Sequence, residues 1–97
     1  MNIPKEIKIL GIPYKIEEVE YISREDFRLG QVDFIHSEIK ILEDMSKPMK
    51  EQTLLHEIIH ATFKAIALDY TNEEQVQQLA SALHQIITDN PLIFSLV

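Results

Sequence analysis

Hydrophobic positions change their spacing halfway along the chain, and the change predicts two kinds of element. In the first half they recur every second residue: Ile7 and Ile9, then Tyr14 and Ile16, then Val19 and Tyr21. Such alternation lines one face of an extended strand, and Gly11 and Pro13 break the first run from the second. Val19 is out of phase with Ile16, which predicts a bulge or bend between them. Two further runs, Val32 with Phe34 and Ile39 with Ile41, alternate with polar neighbours around "IHSE" and read as an antiparallel hairpin. The polar stretch "SREDFRLG", ending at Gly30, predicts a loop or a short helical turn.

The second half is helical. Leu55, Ile58, Ile59, Thr62, Phe63 and Ile66 form one continuous stripe at helical spacing. They predict a helix from about Pro48 to Leu68, with Ser46 as N-cap and Pro48 tolerated in the first turn. A second stripe, Val76, Leu79, Ala80, Leu83, Ile86 and Ile87, predicts another helix that Asn90-Pro91 ends. The short "DYT" connection makes the two helices neighbours. The expected class is α+β, a small antiparallel sheet from the N-terminal half packed on two helices. At 97 residues, positions 1–97 form a single domain with a small core.

The first of these helices carries the candidate chemistry. Leu54, Ala61, Ala65 and Leu68 occupy its other sides, so it is expected to be buried nearly all round. The polar residues of "HEIIH" then need partners, because an unpaired buried charge costs several kcal/mol. His56 and His60 stand one turn apart on one face and can close on a single tetrahedral ion. Glu57, rotated by about 100°, lies beside that ion, where it can take a proton from water. The pattern is H-E-x-x-H. Phasing the second helix on its apolar stripe turns Glu73 toward the core as a candidate third ligand and Glu74 nearly opposite. Glu74 has a separate use in "TNEE": a capping box with Thr71 as N-cap. Without a metal, the histidines would be ordinary hydrogen-bonded helix residues and both acids would simply favour the positive end of a helix dipole.

Composition narrows the options. The chain has no cysteine, so a metal site must use histidine and carboxylate, and nothing calls for an oxidising compartment. A net charge of −7 argues against nucleic acid as partner and points to a basic one. The start lacks a basic segment followed by a long apolar one, and "LIFSLV" is far shorter than the ~20 residues of a membrane span. A cytoplasmic location without membrane anchoring is therefore expected. His36, at the hairpin turn, and His84, beside the second stripe, read as surface or structural residues. Tyr70 either caps the core between the helices or donates to an oxyanion. Met45 and Met49 read as fillers of core gaps.

"HEIIH" followed by Glu73, Val76, Gln77, Leu79, Ala80 and Leu83 resembles the ImmA/IrrE-type metallopeptidases. These are minimal gluzincins common in bacteria, phages and mobile elements, whose second helix typically reads E-x-x-A-N-x-F-A-x-x-L. The resemblance covers residues 53 to 83. It implies that Glu73 is the third Zn²⁺ ligand beside His56 and His60, and that substrate lies along an edge strand preceding the motif helix. Two departures stand out: Gln77 replaces the usual asparagine or aspartate, and "LHQIITDNP" replaces a leucine-rich ending with Met-Pro. The expected function is zinc-dependent peptide hydrolysis with Glu57 as general base. Its partner would be a protein or peptide bound along the edge of the "QVDF" and "EIKIL" hairpin. The competing function is a non-catalytic interaction module that keeps zinc for stability, which a chain of this size has reason to need.

Overall fold

A computed structural model describes residues 2–92, so the "LIFSLV" run beyond Leu92 lies outside the described residues. Four strands precede two helices: β1 (Glu6–Ile9), β2 (Ile12–Val19), β3 (Gly30–Asp33), β4 (Glu38–Leu42), α1 (Lys47–Ala65) and α2 (Glu73–Asp89). The class is α+β, with the sheet in the N-terminal half. Its strand order is β1-β2-β4-β3. Both hairpins are antiparallel, as expected, but β2 and β4 run parallel, so the sheet is mixed rather than wholly antiparallel. The reason lies in the route of the chain. Residues 20–29 leave β2 and start β3 from the same end of the sheet, two strand positions away. The turn after Asp33 then inserts β4 between them in the direction of β2.

Alternation places the core as expected. Tyr14 and Ile16 of β2 and Ile39 and Ile41 of β4 are buried on one face. The predicted bulge after Ile16 is absent: β2 pairs with β4 without interruption from Lys15↔Glu38 to Val19↔Leu42. The slip in phase arises because β2 ends at Val19, and Tyr21 lies beyond it, exposed. Leu10 and Gly11 both take positive φ, 49° and 85°, and join β1 to β2 by the two-residue turn that the twist of a hairpin favours.

Helix α1 is the middle layer. One side packs Leu54 and Ala61 against Ile9, Tyr14, Ile16, Ile39 and Ile41 of the sheet. The other packs Leu55, Ile59 and Phe63 against Val76 and Ala80 of α2. Two-sided packing is what its nearly uniform apolarity requires. Helix α2 touches only α1 among the described elements. Its buried band is correspondingly narrow, and Leu79 and Ile86, expected on its apolar face, are exposed.

The helix ends differ from expectation in two places. Ser46 caps α1 as expected, its Oγ accepting from the Met49 amide at 3.4 Å. At the other end α1 stops at Ala65 instead of Leu68. Ala67 turns left-handed with φ 63°, Leu68 N donates to Phe63 O at 2.8 Å and Ala67 N to Lys64 O at 3.4 Å. That bond pair is a Schellman stop. Helix α2 is capped by Asn72, whose Oδ1 accepts from the Gln75 amide at 3.0 Å, and not by Thr71. The Thr71–Glu74 capping box does not form because Asp69 Oδ1 takes both the amide and the hydroxyl of Thr71, at 3.0 and 2.5 Å. No helix among the described residues is long and apolar enough to cross a membrane.

Candidate metal centre

A cleft of about 680 Å³ opens where edge strand β3, α1 and the start of α2 meet. Its floor is the face of α1 that neither the sheet nor α2 covers, and that face carries the motif. His56, Glu57 and His60 each offer a ligand atom, all within 4.8 Å of one another, and together could hold a metal ion. From α2, Glu73 reaches the same point: Oε2 lies 2.9 Å from His56 Nε2 and Oε1 lies 2.9 Å from His60 Nε2. The two Nε2 atoms are 3.1 Å apart.

The far side of each ring settles its tautomer. His60 Nδ1 lies 2.6 Å from the Tyr70 carbonyl oxygen, which can only accept, so Nδ1 carries a proton and, in the neutral ring, Nε2 keeps the lone pair. His56 Nδ1 faces Gln77 Oε1 at 2.7 Å, and the Gln77 amide nitrogen donates to Ser81 Oγ at 3.2 Å, which aims the oxygen at the ring. When both rings are neutral, their Nε2 atoms therefore present lone pairs to each other and to a carboxylate. Three acceptors crowded this closely repel one another unless a cation or shared proton sits among them. The donor set, two imidazoles and a carboxylate without thiolate, suits Zn²⁺.

Glu57 projects beside this cluster. Its side chain is 6% exposed, and Oε2 is buried without a hydrogen-bond partner. Burial pushes its pKa up to about 7; the charges of His56 and Arg28 pull it down and that of Glu73 adds to the rise. A carboxylate with a free oxygen and a pKa near neutrality is suited to passing a proton. Strand β3 comes close to it because Gly30 has no side chain. A Cβ there would meet Thr53 Cγ2 at 2.6 Å and Glu57 Cγ at 3.3 Å.

No family model, curated protein or solved structure matches this chain.

The structure brings His56, His60 and Glu73 together, as the helix phases anticipated, with two refinements. Glu73 sits at the mouth of the cleft with its side chain 70% exposed rather than in the core. Glu74 points elsewhere, within 3.5 Å of Gln78 Nε2. Met49, expected in the core, lies at the cleft wall and is partly exposed. Met45 approaches Thr53 Oγ1 at 4.0 Å. Tyr70 contributes its carbonyl to His60, while its ring packs edge-on against Phe34 with centroids 5.3 Å apart, below the Lys64 ammonium. The remaining histidines lie away from the cluster. His36 binds Asp33 Oδ2 at 2.7 Å in the β3–β4 turn, a contact that raises its pKa. His84 joins Glu51 Oε1 at 3.0 Å between the two helices. Sequence reading did not assign roles to Gln77 or to the Tyr70 carbonyl. Gln77 had a signal, since it stands at the position where the resemblance failed.

Proposed function

We propose that this protein is a zinc-dependent peptidase of the minimal gluzincin kind, with His56, His60 and Glu73 as metal ligands and Glu57 as general base. One observation carries the reading. Two imidazole nitrogens and both oxygens of a carboxylate converge within 3.1 Å, beside a buried carboxylate with an oxygen that has no partner among the described residues. Glu73 is the better third ligand of the two acids because both its oxygens reach the imidazoles, whereas Glu57 leaves one free. Zinc held there supplies positive charge that polarises a substrate carbonyl and makes a water more acidic. The protein's own groups do the rest. Tyr70 and Gln77 hold the two rings in the ligating tautomer, Glu57 Oε2 accepts the proton of the attacking water, and the same carboxyl then gives it to the departing amine. The edge of β3 lines up the peptide.

Protein purified without chelator is expected to carry about one zinc per chain. The zinc should be lost in His56→Ala and in Glu73→Ala and retained in Glu57→Gln. Hydrolysis of unfolded protein substrates by Glu57→Gln should fall by several orders of magnitude. Elemental analysis that finds no metal would remove the proposal. Zinc bound without any hydrolysis by the unsubstituted protein would turn it into the interaction-module reading.

A further inference from the structure

The cleft differs from one end to the other, and the difference bears on which peptides it takes. At one end Gly30 approaches Glu57; at the other Phe34, just past β3, meets Tyr70. Strand β3 thus runs along the cleft from the Glu57 end to the Tyr70 end. Its inner edge is committed to β4. Leu42 N donates to Leu29 O at 2.8 Å, and the register continues through Gln31↔Lys40 and Asp33↔Glu38. Antiparallel pairs alternate, so those residues bond inward while Gly30 and Val32 turn their amides and carbonyls to the open edge. An extended peptide can bond there, and antiparallel addition is the stronger mode. Its N-terminal part then lies by Phe34 and Tyr70, and its C-terminal part runs toward Arg28.

Arg28 lines that end of the cleft, and no other arginine or lysine does among the described residues. Among the described residues its one ion pair is with Asp26 Oδ2 at 3.3 Å, between side chains 51% and 64% exposed. A guanidinium has five N–H donors, so most are uncommitted. With a divalent ion offsetting Glu57 and Glu73, Arg28 leaves the cleft locally positive on an otherwise acidic molecule.

Resting on the peptidase reading, we propose that Arg28 selects peptides bearing a carboxylate on the C-terminal side of the cleaved bond. An acidic side chain and the peptide's own terminal carboxylate share the chemistry that a guanidinium fork recognises. The overall charge of −7 opposes this only at long range, where salt screens it; the fork acts at contact.

Peptide hydroxamates test this, because the hydroxamate fixes the register at the metal. One series carries its residues on the C-terminal side of the hydroxamate, with Glu or Gln and with a free or amidated C-terminus; a mirror series carries N-acetylated residues on the N-terminal side, with Glu or Gln. Binding is measured on zinc-loaded Glu57→Gln protein, so no turnover is required. In the first series Glu should bind about tenfold more tightly than Gln, or a free terminus more tightly than an amide, according to the source of the carboxylate. The mirror series should show no such preference. Arg28→Gln should abolish the preference and leave zinc content and affinity for the neutral amidated peptide unchanged; Arg28→Lys should keep part of it. The proposal is overturned if the carboxylate preference is missing, lies in the mirror series, or survives Arg28→Gln. Those failures would leave the metal centre intact, whereas a protein that binds neither zinc nor hydroxamate would overturn both readings.

Discussion

Gln77 shows what one residue contributes when it never touches the proposed metal. Its oxygen holds His56 Nδ1 at 2.7 Å, and Ser81 holds its amide nitrogen, so the ring is turned and its proton placed before any ion arrives. Gln77→Leu keeps similar bulk and a helical preference but frees the ring to rotate and change tautomer. Zinc affinity should fall by about 10- to 100-fold, read by competition with a chromophoric chelator, with the stability of the metal-free protein nearly unchanged because the residue is exposed. An unchanged affinity would mean that Gln77 does not position His56. The counterpart on His60 is a backbone carbonyl, that of Tyr70, and a carbonyl leaves no trace in side-chain identity. The candidate ligands were therefore legible in the sequence as residues that would meet, while half of what orients them was not.

Among the elements, the helices were the more legible because each stripe must bury itself against one neighbour and shows its period doing so. Their ends were less so. Asp69 competes for the groups of Thr71 that a capping box would use, and spacing alone cannot decide between two acceptors so close in the chain. The end of α1 gives a prediction. Ala67 holds φ at 63° in the Schellman stop, a conformation that costs a residue with a Cβ about 1 kcal/mol and glycine almost nothing. Ala67→Gly should raise stability by up to about 1 kcal/mol in urea titration, the larger backbone freedom of unfolded glycine offsetting part of the gain. A loss of stability would show that the methyl group packs usefully. The parallel pairing of β2 with β4 was illegible for another reason: alternation says which face a residue takes, never which strand lies beside it.

As a whole the molecule is short of interior, and its layers are joined unevenly. Among the described elements helix α2 packs only on α1, through Val76, Ala80 and their neighbours, through His84 with Glu51, and through the groups at the candidate metal centre. An ion shared by His56, His60 and Glu73 would fasten α2 to α1 at the end where Glu73 begins the helix. Metal at a thousand times its dissociation constant contributes about 4 kcal/mol. For a domain near 100 residues that corresponds to roughly 15–30 °C in melting temperature. Stripping the metal with chelator should lower Tm by that order, and hydrogen exchange should show α2 loosening before the sheet. A chelated protein that melts unchanged would separate the metal from the fold.

Gly30 aside, no side chain from 20 to 31 belongs to either hydrophobic cluster, although Leu29 and Gln31 pair with β4 through their backbones. Yet this is the stretch that carries Arg28 and opens the edge of β3. Heredity can therefore treat it as a replaceable part. On the function proposed above, a lineage could change which peptides it takes by rewriting the side chains that neither cluster uses, keeping the helices that carry the motif and altering the edge that presents work to them.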